Sequence, residues 1–204
     1  MSLLSTSIRR SSFRFGPQLA LINTASFRPF SSSIPKLNRP KMAPFKTPSS
    51  DPPKHEMQYF PSMTTSLPAE SHEFRRVLWT GLYSQVVLMT VPVGGDIGEE
   101  IHTVDQILTF TSGKGLAQVG GKEQEIKAGD MVIVPAGTKH QFLNKGEEPL
   151  VLYTVYSPAE HKATTVHKTK EEGEKAEEEG GDEPPEWSQR GKRENERDGI
   201  VRGE

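Results

Sequence analysis

The sequence predicts an all-β fold, a sandwich or barrel of short strands, and three observations carry that prediction. Apolar residues between positions 75 and 156 alternate with polar ones or form short runs such as Met131-Val-Ile-Val134. Glycine-rich punctuation interrupts them at close intervals, at Ser112-Gly-Lys-Gly115, Gly120-Gly121 and Ala128-Gly-Asp130. Helix signals within this region are weak.

Taken in order, the chain begins with a segment unlike the rest. Residues 1–50 hold no Asp or Glu, and Arg9, Arg10, Arg14 and Arg28 are spaced among Leu3, Leu4, Ile8, Phe13 and Phe15. That is the composition of a mitochondrial-type transit peptide, disordered before import, and Arg28-Pro-Phe30 ahead of three serines reads as a matrix-processing site cut after Phe30. Residues 1–41 are therefore expected to deliver the chain to the mitochondrial matrix; a start at Met42 would leave it cytoplasmic. Residues 42–70 are rich in Pro, Ser and Thr and read as a linker or arm, with Met57, Tyr59 and Phe60 as its apolar residues.

A barrel domain is expected over 71–160, with strands at 74–79, 83–93, 105–110, 115–119, 122–126, 131–134, 140–143 and 149–156. In the second of these, Gln85, Val87, Met89 and Val91 share one face and Val86 and Leu88 the other, so both faces suit a packed double sheet. Residues 161–204 are expected to be a charged, mostly disordered tail. Glu171 and Lys175 stand at helical spacing there, but Gly173 weakens a helix, no apolar stripe supports one, and Gly180-Gly181 and Pro184-Pro185 end it.

Two stretches carry candidate chemistry. In 129–144, Pro135 and Gly137 end a strand in a turn, so that His140 re-enters the sheet at a defined height. In 94–113, Glu100 and His102 fall on one face of a strand, and Gln106, Leu108 and Phe110 continue the row if the strand runs unbroken past His102. Separately each residue has an ordinary reading: a histidine at a strand start is commonly a hydrogen-bonded surface or core residue, and Glu100 beside Glu99 suits solvent. Together they change the balance, because burying a Glu, a Gln and two His is costly without a cation or an extensive hydrogen-bond network. Glu100, His102, Gln106 and His140 are thus the candidate ligands of a divalent metal ion, Mn, Fe, Zn, Ni or Co. Val87, Met89, Leu108, Phe110, Val134 and Phe142 are candidates to line a pocket around it, whereas His55, His72, His161 and His167 lie outside both stretches and are read as non-ligands.

These stretches resemble the paired motifs of the cupin superfamily. Gly129, Pro135, Gly137, His140 and Asn144 match every fixed position of the second motif, G-x5-P-x-G-x2-H-x3-N. The first motif, G-x5-H-x-H-x3,4-E-x6-G, keeps its spacing from Gly94 through His102 to Gly113, but Glu100 stands at the first histidine and Gln106 at the glutamate. The chain looks most like the small single-domain cupins with a Glu-x-His...Gln variant of that motif, over about residues 74–170. The resemblance implies a jelly-roll barrel, a double-stranded β-helix, together with a metal in the barrel, a small oxygen-rich ligand, and a homodimer in which the 42–70 arm crosses to its partner.

Three functions stay open on the sequence. The chain is an enzyme working by metal-dependent isomerisation, decarboxylation or dioxygenation, a non-catalytic ligand-binding cupin, or a structural dimer with a vestigial site. Other classes are disfavoured. With no cysteine there is no thiol nucleophile or cysteine-ligated metal. No apolar run reaches membrane-spanning length. Gly113-Lys-Gly115 joins two strands rather than opening a phosphate-binding helix. The tail mixes both signs of charge, where a nucleic-acid surface would be basic with aromatics.

Overall fold

Alternating β-branched and aromatic residues build ten strands in the computed structural model, which describes residues 48–63 and 73–203. The expected transit segment 1–41, the rest of the 42–70 linker and His72 lie outside the described residues. The strands are β1 (Arg75–Thr80), β2 (Gln85–Val91), β3 (Asp96–Glu100), β4 (Asp105–Ser112), β5 (Lys114–Val119), β6 (Lys122–Lys127), β7 (Met131–Val134), β8 (His140–Asn144), β9 (Leu150–Ser157) and β10 (Val166–His167). They form two antiparallel sheets, one ordered β10-β1-β2-β9-β4-β7 and the other β3-β8-β5-β6. This is the expected jelly roll.

The core lies between the sheets. Val87, Met89, Leu108, Phe110, Val134 and Phe142 point inward and interlock with Val77, Leu150 and Leu152, and the rings of Phe110 and Phe142 meet at 5.8 Å. Each such side chain contributes roughly 1.5–3 kcal/mol by leaving water. Asn144, the last fixed residue of the second motif, is a buried staple: its amide donates to the carbonyls of Val91, Pro92 and Glu148, and its oxygen accepts from Gly146 N.

The strand does not run unbroken past His102; β3 stops at Glu100, and β4 begins at Asp105. The two strands belong to opposite sheets, so residues 101–104 must cross the barrel mouth between them. This crossover is tied to the second motif's turn: Gly137, with φ 76°, donates to His102 O at 2.8 Å, and Ala136 N donates to Asp105 Oδ1 at 2.9 Å.

The tail also departs from expectation, because residues 161–203 are folded against the barrel. Helix α1 (Lys170–Glu178) starts with reciprocal capping: Thr169 Oγ1 accepts from Glu172 N, and the Glu172 carboxylate accepts from Lys168 N. Gly173, read from the sequence as a weakness, is buried, and a Cβ there would come within 3.3 Å of His167 Nδ1. The glycine lets the helix lie close to β10. A 3-10 turn (Glu186–Ser188) and α2 (Lys192–Arg197) follow. The docking is largely polar: Lys170 Nζ reaches Asp96 at 2.6 Å, Gln189 donates to Ala159 O at 2.7 Å, and Asn195 donates to Tyr83 Oη at 3.2 Å. A search for an apolar stripe could not have found such a contact.

Of the arm, Phe60 and Met63 pack on Leu78, Leu88 and Val151 on the outer face of the larger sheet, whereas Met57 and Tyr59 are exposed.

Candidate metal centre

Glu100 and His140 are directly paired across β3 and β8, and His102 follows on the crossover, so three of the four expected ligands converge at one end of the barrel. A donor atom from each of Glu100, His102 and His140 lies within 4.8 Å of the other two. The two imidazole rings stand 5.1 Å apart. Gln106 enters from the opposite sheet, where β4 lies beside β7 and β9.

Hydrogen bonds decide which atoms face the centre. His140 Nδ1 lies 2.8 Å from the carbonyl of Thr138, which can only accept, so Nδ1 carries the hydrogen and Nε2 presents a lone pair. That Nε2 is buried without a partner. Gln106 uses its amide nitrogen on Tyr156 Oη at 3.0 Å, leaving a buried Oε1 that also has none. An unpartnered buried acceptor on His140, grouped with a carboxylate and a second imidazole, is what a cation would satisfy, and Gln106, linked through Tyr156 to the His102 ring, holds a second such acceptor; the mixed nitrogen and oxygen set suits a divalent transition metal.

His102 sits between two carboxylates, with Nε2 3.0 Å from Glu100 and Nδ1 2.9 Å from Glu160. Burial pulls its pKa down, but hydrogen bonds and charge from Glu100 and Glu160 outweigh that and raise it to about 9. The proton on Nε2 thus occupies the place of a cation. Burial raises the Glu100 carboxyl, and His102, Arg75 and His140 overcome this to hold it below the ordinary value. His140 is lowered, chiefly by burial.

Sequence reasoning missed Glu160. It belongs to neither motif and follows β9, with no signal to single it out. By accepting from Nδ1, its carboxylate fixes the His102 tautomer whose Nε2 faces the centre.

A second group, His161, Glu177 and Asp182, also has donor atoms within 4.8 Å of one another. Here a fixed cation is already present. The guanidinium of Arg75, a 1% exposed residue, pairs with Glu177 and lies 3.6 Å from Asp182 Oδ2 and 3.9 Å from Glu100 Oε1. Asp182 further accepts from the Thr165 hydroxyl and pairs with His161 Nδ1 at 2.9 Å. The group is a buried ion-pair knot that fastens the C-terminal segment to β1, and it makes no demand for a metal.

A cavity of about 930 Å³ opens between Glu100 and His102 on the barrel rim and residues of the C-terminal segment, among them Asp182, Glu186 and Gln189. The six apolar residues expected to line the pocket do not reach it. All are at most 2% exposed and fill the space between the sheets, which leaves the cavity a polar wall.

Residues 87–156 match the family model for a cupin domain. The uncharacterized protein YrkC of Bacillus subtilis is 41% identical over 108 residues, which cover 50% of this chain and 58% of YrkC, so the chain spans less than two thirds of that relative. Protein SCO3923 of Streptomyces coelicolor is 32% identical over 75 residues, covering 37% of this chain and 70% of its own. The crystal structure of BH2720 from Bacillus halodurans superposes with a TM-score of 0.51 at 42% identity, covering 52% of this chain and 86% of that one.

Proposed function

The chain belongs to the cupin superfamily, and on that premise we propose that it holds one divalent metal ion through Glu100, His102 and His140, with Gln106 as a further oxygen donor, to bind or transform a small oxygen-rich molecule. One observation carries this reading: Glu100, His102 and His140 bring donor atoms within 4.8 Å of one another while the buried His140 Nε2 has no partner, and Gln106 Oε1 is buried and unpartnered too. A bound divalent ion would supply Lewis acidity, polarising a carbonyl or hydroxyl oxygen of the ligand. The chain's own residues set the stage for it. Thr138 O and Glu160 fix the two imidazole tautomers, Tyr156 orients the Gln106 amide, and Glu100 supplies the carboxylate. A single carboxylate leaves a divalent centre with net positive charge, suited to an oxygen-donor ligand. The same centre serves catalysis or ligand binding without turnover.

Titrating chelator-stripped protein with Mn²⁺ and with Zn²⁺ tests the reading. It requires about one ion per chain and loss of that binding in Glu100→Ala and His140→Ala. Undiminished binding in both variants would refute it.

Two further proposals accompany it. Residues 1–41 direct the chain to the mitochondrial matrix, which import into isolated mitochondria checks through a new N-terminus after Phe30. A homodimer forms on the outer face of the larger sheet. Supporting it, Met131 and Ile133 on β7 are each 60% exposed there.

A further inference from the structure

We propose that docking of the C-terminal segment and metal binding at the centre are linked through Arg75, each strengthening the other. The link rests on the metal-binding reading above and adds the regulation of that site.

Arg75 on β1 is 1% exposed, so its charge must be balanced by nearby acceptors rather than by water. Its guanidinium stands between two sets of them. Nη1 pairs with Glu177 and lies 3.6 Å from Asp182 Oδ2, both in the C-terminal segment, whereas Nη2 lies 3.9 Å from Oε1 of Glu100 at the centre. That last contact is too long for a hydrogen bond, and Arg75 Nε is buried without any acceptor. The guanidinium is thus bonded to the C-terminal segment while Glu100 stays within its reach. The other oxygen of Glu100 faces His102 Nε2 at 3.0 Å.

Undocking the segment removes Glu177 and Asp182 together and leaves Glu100 as the remaining carboxylate beside a buried guanidinium. Glu100 is then drawn toward Arg75 and away from the metal, and the unmatched charge of Arg75 repels a divalent cation next to it. A bound metal acts in the reverse direction. By sharing the charge of Glu100 it weakens that carboxylate's hold on Arg75, which leans more fully on Glu177 and Asp182. Both effects have one sign. Two further contacts tie the segment to the frame of the centre: Lys170 Nζ holds Asp96 at 2.6 Å at the start of β3, the strand that ends in Glu100, and the segment grips both neighbours of Glu160. Gln189 donates to Ala159 O at 2.7 Å, and Asp182 pairs with His161 Nδ1 at 2.9 Å, on either side of the carboxylate that orients His102. The same segment walls the cavity of about 930 Å³ in front of Glu100 and His102, so a loaded centre faces a firm wall and an empty one a looser wall.

Backbone hydrogen exchange is measured on the full chain stripped of metal and on the same chain saturated with Mn²⁺, with metal content assayed in each sample. Amides of α1 and of residues 179–189 should exchange at least about fivefold more slowly with Mn²⁺, while those of β6, at the far edge of the smaller sheet, are unchanged. By reciprocity, combining Glu177→Gln with Asp182→Asn should weaken Mn²⁺ binding at least about fivefold and abolish the exchange contrast. Glu178→Gln, which removes a charge from the same helix outside the Arg75 pairing, should leave affinity within about twofold of wild type. Exchange that is identical or faster with Mn²⁺, slowing no greater at α1 than at β6, or undiminished affinity in a folded double variant would overturn the link. Where the double variant does not fold, the exchange contrast in the wild type decides. Absence of metal from the assayed wild type would instead overturn the metal-binding reading, and the link with it.

Discussion

Glu160 shows how much of the centre depends on a residue that binds nothing itself. Its carboxylate accepts from His102 Nδ1, and without it the ring is free to take the other tautomer and turn its N–H toward the centre. Glu160→Ala should weaken Mn²⁺ or Zn²⁺ binding by about ten- to a hundredfold with little change in fold, as read by metal titration alongside circular dichroism. Proton competition gives a second expectation at this scale. In the metal-free protein His102 holds its proton up to about pH 9, and the metal must displace it, so affinity should climb with pH until about 9 and then level off. A pH-independent affinity between 6 and about 9 would contradict that placement of His102. The candidate ligand residues stood out because the motif spacing of Gly94 to Gly113 and Gly129 to Asn144 singles them out; Glu160 did not, since its contact is made only when the chain returns past β9.

Among the elements, α1 and its connection hold the clearest test. Arg75 on β1 binds Glu177 at the end of α1 and Asp182 beyond it, all around His161. Arg75→Met would leave Asp182 buried beside its remaining partners without a fixed cation, and is expected to cost about 3–5 kcal/mol in urea unfolding. Acid should act on the same knot. His161 is lowered by burial first and by Arg75 next, so the unfolded chain takes up its proton at a higher pH than the folded one, and stability falls as pH drops below about 6.5. Burial raises Asp182, but His161, Thr165 and Arg75 depress it overall; its contribution is present above about pH 4 and is lost as pH falls through its lower folded value. A thermal midpoint unchanged between pH 7 and 5 would contradict the neutral, buried His161. In the structure the helix starts at Thr169-Lys-Glu-Glu172, a capping pattern. Its docking was hidden because a glycine and ion pairs, rather than leucines at helical spacing, make the contact.

At the scale of the whole molecule, the strands were readable because alternation and glycine turns report a double sheet directly, and eight lie within two residues of their expected positions. The crossover at 101–104 was not, since side-chain parity at Glu100 and His102 looks the same whether the chain continues in one sheet or passes to the other. Nor did pattern alone separate core from cavity: inward-facing Leu108 and Phe110 resemble pocket residues until the opposite sheet is seen to fill the space against them. The outer face makes a distinct prediction. Ile133→Lys places a charge in the apolar surface of β7 and should shift the protein from dimer to monomer in light scattering, leaving metal stoichiometry intact. A wild-type monomer at all concentrations would remove the dimer proposal without touching the site.

The central claim is that side chains from both sheets and the crossover between them meet around one cation. Anomalous diffraction from crystals of Mn²⁺-loaded protein tests it most directly. The expected result is a single strong peak bonded to Glu100, His102 Nε2 and His140 Nε2, with Gln106 Oε1 turned toward it. A peak among His161, Glu177 and Asp182 instead, or none in fully loaded crystals, would contradict the account.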